Sequence, residues 1–126
     1  MVMCMKIIQV NDGDDISDDL KDRSGIEIIF YHYESGDYEG NGESLVLKNG
    51  KWGYVNLGHC SCYDFRDNLD ESHPEHAQPQ DILKKASTDI FDFVTWCLWI
   101  GYELGIFEKP GDYVKPWYPS YRMEVV

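Results

Sequence analysis

Short apolar runs alternate with polar, glycine-containing breaks through the first half of the chain, and one long apolar stretch dominates the second half. Met5 to Val10 reads as a short buried strand. Ile26 to Tyr33, IEIIFYHY, is β-branched and aromatic at strand length, and its near-continuous apolar character suits a central strand. Strict alternation would place Ile26, Ile28, Phe30 and His32 on one face and Ile29, Tyr31 and Tyr33 on the other. His32 then lies in line with a core face and reads as a structural histidine.

The plainest local signal is Asn49-Gly50 between two apolar runs, because both residues tolerate the positive φ of a type I′ hairpin turn. A two-residue loop there sets Lys48 opposite Lys51, Leu47 opposite Trp52 and Leu45 opposite Tyr54. Leu45, Leu47, Trp52 and Tyr54 share one face, and Val46, Val55 and Leu57 share the other. Gly53 leaves room for a close neighbour. With both faces partly apolar, a helix is expected on one side.

Residues 64–80 are polar with two prolines and read as a mobile surface loop. Pro79 suits the first turn of a short helix running to Ala86, and Ser87 or Thr88 can cap the next one. That main helix is expected over Ile90–Phe107, with Ile90, Val94, Cys97, Gly101 and Leu104 at helical spacing. Its other positions are also rich in apolar residues. Asp92, Glu103 and the glycines argue against a membrane span, so the helix is either buried between the sheet and other chain or faces another subunit. Gly101-x-x-x-Gly105 would permit close backbone approach in either case. Lys109-Pro110-Gly111 ends the helix, aromatic residues including Tyr113, Trp117 and Tyr118 follow, and Tyr121 to Val126 reads as an edge strand. These elements predict one α+β domain over residues 1–126, with an antiparallel sheet of four or five strands and one long apolar helix packed on it.

Charge narrows the functions. Lys and Arg total 11 against 23 Asp and Glu, a formal charge of −12. Nucleic-acid binding needs a basic footprint that this chain lacks, and anionic membrane surfaces are disfavoured for the same reason. The acidity either keeps the protein apart from its neighbours or docks it on a basic partner, in its sharpest form as a nucleic-acid mimic. The densest run is residues 11–23, where Asp12, Asp14, Asp15, Asp18, Asp19 and Asp22 lead into a short helix. Asp14, Asp15, Asp18, Asp19 and Asp22 are the candidate partner-binding residues. The spacing does not fit an EF-hand loop, since Ile16 would occupy a ligand position.

The candidate chemistry lies at His59-Cys60-Ser61-Cys62-Tyr63. A zinc site would draw on His59, Cys60, Cys62, His73 and His76. In an extended strand, Cys60 and Cys62 would lie roughly 6.6 Å apart. Thiolates on one tetrahedral zinc are under about 4 Å apart, so chelation needs a turn there. A nucleophilic thiol needs a base within reach, and His59 would point away from Cys60 on a strand. No phosphate loop, dinucleotide fingerprint or His-Glu-x-x-His pattern is present. The thiols therefore read first as packed apolar groups. With no secretory leader evident, reduced cysteines in a cytosol are the expectation.

The segment Asp37-Tyr38-Glu39-Gly40 followed by LVLKNGKWGYVNLGHCSCYD resembles a group of small, mostly uncharacterised phage and prophage proteins. The match covers roughly residues 37–64. It implies a phage-type gene product in a bacterial cytoplasm, a setting in which small acidic proteins bind host proteins, defence nucleases included. It carries over no catalytic residue. The expectation is thus a non-enzymatic acidic protein that binds and modulates a host protein. The alternatives are a zinc- or thiol-dependent enzyme centred on Cys60 and Cys62, and a structural module that self-associates through the 90–107 helix.

Overall fold

The computed structural model describes residues 4–36, 39–59, 64–111 and 120–126. They form an α+β fold around a mixed five-stranded sheet. The strands are β1 (Lys6–Val10), β2 (Ile26–Ser35), β3 (Gly40–Lys48), β4 (Lys51–Asn56) and β5 (Tyr121–Val125). Their spatial order is β4-β3-β2-β1-β5. The helices are α1 (Ser17–Leu20), α2 (Phe65–Asp70) and α3 (Thr88–Glu103), with a 3₁₀ helix at Pro79–Lys85.

The hairpin forms as its turn chemistry dictates. Asn49 and Gly50 take φ of 52° and 81°, and Leu47 pairs with Trp52 and Leu45 with Tyr54. An all-antiparallel sheet does not form, because β1 and β2 run parallel with Ile7 beside Ile29. The chain between them, including α1, crosses over one face instead of turning back as a hairpin. This also explains why β1 and β2 are apolar on both faces, the pattern of strands covered above and below.

One face carries Ile7, Ile29, Tyr31, Val46 and Leu57 beneath α1 and α2, through Ile16, Leu20, Phe65 and Leu69. The other carries Ile8, Val10, Phe30, Leu45 and Trp52 beneath α3, through Phe93, Cys97 and Ile100. Ile26 lies on the α1/α2 face, not with Ile28 and Phe30 as simple alternation predicts. The register shift between Ile26 and Ile28 is a β-bulge, which inserts one residue and flips what precedes it.

Two lengths differ from the sequence expectation. Residues 64–80 are not one loop, since Asp64 accepts the backbone N–H of Arg66 and opens α2, whose Phe65 and Leu69 are buried. Further on, Trp52 and His76 exchange backbone hydrogen bonds of 2.7 and 3.0 Å, and Pro74 packs on Gly53, where a Cβ would come within 2.8 Å of it. The main helix stops at Glu103 instead of Phe107 because Gly105 takes φ +77°. The Ile106 N–H bonds back to the Gly101 carbonyl and that of Gly105 to Tyr102, a Schellman ending. Phe107 then folds onto Gly101, so both glycines act within the chain.

Candidate functional site

α1 and α2 are short, acidic and side by side on one face of the sheet. The acidic run 11–23 is thereby extended by exposed Asp67, Asp70 and Glu71 from a segment more than forty residues away in sequence. Arg23 pairs with Asp70 at 2.7 Å and Arg66 with Asp19 at 3.3 Å, so two cations rivet the two helices together. Lys48 does not present its ammonium at this surface. It is 8% exposed, and its Nζ donates to the carbonyls of Leu69, Asp70 and Ser72, each at 2.9 Å, capping the C-terminal end of α2.

The five predicted partner-binding aspartates divide by role. Asp14 accepts the N–H and hydroxyl of Ser35, tying the loop to the end of β2. Asp15 accepts the Ser17 N–H at 2.9 Å and its hydroxyl at 2.6 Å, and a Tyr31 hydroxyl bond of 3.4 Å. The Ser35 and Ser17 bonds hold these two carboxyls below the usual range. Asp14 and Asp15 are therefore loop anchors. Asp18 pairs with Lys21 at 3.1 Å and is otherwise open to solvent, Asp19 pairs with Arg66, and Asp22 is exposed with no side-chain partner among the described residues.

Of the five proposed zinc ligands, the structure holds His59 and His76 apart. His59 bridges Gly40 beyond the end of β4, whereas His76 bridges Trp52 at its start. Gly40 lies seven residues from Leu47, the partner of Trp52, which separates the two sites by about 23 Å along β3. His73 lines a groove with Pro74 and His76 on the β4 side. The Nε2 of His59 is 2.6 Å from the Tyr33 hydroxyl, and its ring lies against Phe65. Cys60 and Cys62 lie outside the described residues. Among the described residues no group of three or more His, Cys, Asp or Glu side chains is placed to hold a metal ion. Cys97 is buried in the α3 core, and burial pushes its thiol well up.

Sequence reasoning missed a second polar concentration. An open cleft of about 550 Å³ on the α3 face is lined by His32, Glu43, Tyr54, Asp89, Asp92 and Trp96, among others. Tyr54 donates to Glu43 Oε1 at 2.9 Å. Burial raises the Glu43 carboxyl, opposed by that hydrogen bond and assisted by Asp89. Burial and the Glu43 charge likewise raise the Tyr54 phenol. His32 Nδ1 lies 3.2 Å from the Val10 carbonyl and Nε2 3.7 Å from Glu34, so its ring is held as a structural histidine. The hairpin register carried part of this signal, because Glu43 pairs with Asn56 and is thus diagonal to Tyr54. Nothing in the sequence pointed to Asp89 and Asp92 as its neighbours.

The chain matches no protein-family model, no curated protein and no solved structure with which it was compared. No helix among the described residues is long and apolar enough to cross a membrane.

Proposed function

We propose that the protein is a non-enzymatic binding protein whose α1/α2 face docks on a basic surface of another protein and modulates it. The observation that supports this is the convergence of two acidic segments on one face while the nearby Lys48 is turned inward. A folded scaffold that holds carboxylates at set positions loses little entropy on binding and presents a field complementary to a cationic groove. In its sharpest form the face imitates the phosphates of a nucleic acid, and the partner is a host nuclease met by a phage-type protein in the bacterial cytoplasm. The resemblance over residues 37–64 is consistent with that setting.

The test uses the roles of the aspartates. Reversing Asp14 or Asp15 would undo the loop, so the informative variant is D18K/D22K/D67K, three exposed positions on α1, on the turn that follows it and on α2. Immobilised wild-type protein should retain basic proteins from a bacterial lysate and release them as salt rises from about 0.05 to 0.5 M, where screening shortens from over 10 Å to a few ångströms. The triple variant should retain none of them. Retention indifferent to salt, or equal for both proteins, would refute the reading.

A further inference from the structure

β5 is an edge strand with one side unexplained by the fold. Met5 and Val126 exchange hydrogen bonds of 3.1 and 2.8 Å, and Asn11 donates to the Ser120 carbonyl at 2.7 Å. In an antiparallel ladder those groups alternate, so the even-numbered residues of β5 face β1. Met123 and Val125 therefore direct their N–H and C=O groups outward, where no backbone group among the described residues meets them.

The two edges of the sheet are treated differently. β4 is closed off by the Trp52–His76 bridge and by Pro74 over Gly53. β5 is short and carries Arg122 and Glu124, but it has neither a proline nor a register break over Tyr121–Val125, two of the devices that blunt a bare edge. It also leaves Met123 43% and Val125 54% exposed.

We propose that a second copy of this chain occupies this edge, pairing β5 with β5 about a two-fold axis through Met123. The strand's own charges support that occupant. In an antiparallel pairing with Met123 opposite Met123 of the other copy, Arg122 stands opposite Glu124 and Glu124 opposite Arg122. Opposite charges are thus matched twice, which is what an isologous interface requires. Those side chains lie on the α1/α2 face, since Gln9 pairs with Arg122 and Ile7 with Glu124. Within one chain the two charges have partners of their own, Lys21 2.8 Å from Glu124 and Asp15 3.7 Å from Arg122, so the edge is close to neutral in a protein of high negative charge. An axis perpendicular to the sheet leaves both acidic faces on the same side of one continuous sheet. Dimerisation thus goes beyond the proposed docking function and does not depend on it.

Sedimentation equilibrium on the full chain, from micromolar to several hundred micromolar, tests this. Salt near 0.3 M brings the screening length to about 5–6 Å and suppresses repulsion between two chains of charge −12. Wild type should dimerise. R122E and E124R should each weaken the dimer about tenfold or more, because each sets like charges face to face. An equimolar mixture of the two should recover it as a heterodimer, since one variant then presents acids at both positions and the other presents bases at both. M123P, which removes an outward N–H and no bond to β1, should leave a folded monomer. A wild-type monomer across the range, a dimer indifferent to R122E and E124R, or a mixture no tighter than its components would overturn the proposal.

Discussion

Lys48 and Lys51 face each other across the hairpin turn, and replacing each by methionine should have very different consequences. Lys51 is exposed, so K51M should change stability by less than about 0.5 kcal/mol. Lys48 is buried, and its ammonium satisfies three carbonyls at the end of α2. Methionine fills much of the same volume, so the packing loss is small. The cost comes from the acceptors left behind. The Leu69 carbonyl keeps the Ser72 hydroxyl at 2.6 Å, but the carbonyls of Asp70 and Ser72 lose their lysine donor. An unsatisfied buried acceptor costs about 1–3 kcal/mol, and part of that is recovered where water can reach. Against it stands the desolvation of the ammonium, which the variant avoids. The balance is a loss of about 2–4 kcal/mol for K48M. Urea unfolding followed by tryptophan fluorescence measures both variants. Amide exchange should also show α2 opening in K48M before the rest of the sheet. Equal stabilities for K48M and K51M would refute the assignment of Lys48 as the pin of α2.

In Gly101→Ala the new methyl would overlap the Phe107 ring, itself stacked on Phe30 and edge-on to Trp52. Overpacking costs about 1–3 kcal/mol, against a gain of about 1 kcal/mol in helix propensity, so a net loss is expected, and a raised melting temperature would contradict it. Gly105→Ala, at φ +77° with open space around it, should lose about 1–2 kcal/mol through backbone strain alone. In pH, Asp14, Asp15 and Asp64 have lowered pKa values, so their contribution is complete above the ordinary Asp value of about 3.9 and is lost as pH falls through their folded values. Glu43 is raised, so its contribution has the opposite sign: it is absent well above its folded value and gained as pH falls through it. Thermal stability should therefore rise as pH falls toward the ordinary Glu value of about 4.3 and drop again below the ordinary Asp value of about 3.9, and Glu43→Gln should flatten the upper limb. An upper limb identical in E43Q and wild type would remove Glu43 as its source.

What could be read from the chain alone was whatever short-range geometry decides. The Asn49-Gly50 turn sets the register of its two strands, because only a few residues tolerate those dihedrals, and alternation then assigns Leu45, Leu47, Trp52 and Tyr54 to one face. The room left by Gly53 and the edge position of Tyr121–Val125 were visible in the same way. The parallel pairing of β1 with β2 was not, since parallel and antiparallel partners of a doubly buried strand have the same apolar pattern. Nor was α2, a six-residue helix whose two buried residues are too few to show a period. The site depended on tertiary structure most of all. Charge composition already indicated an acidic protein, yet α1 and α2 come together only by sharing the apolar surface of Ile7, Ile29 and Leu57. Two lysines flanking one turn are equivalent in sequence. Only the fold buries Lys48 and exposes Lys51, because the carbonyls at the end of α2 lie over one of them and water over the other.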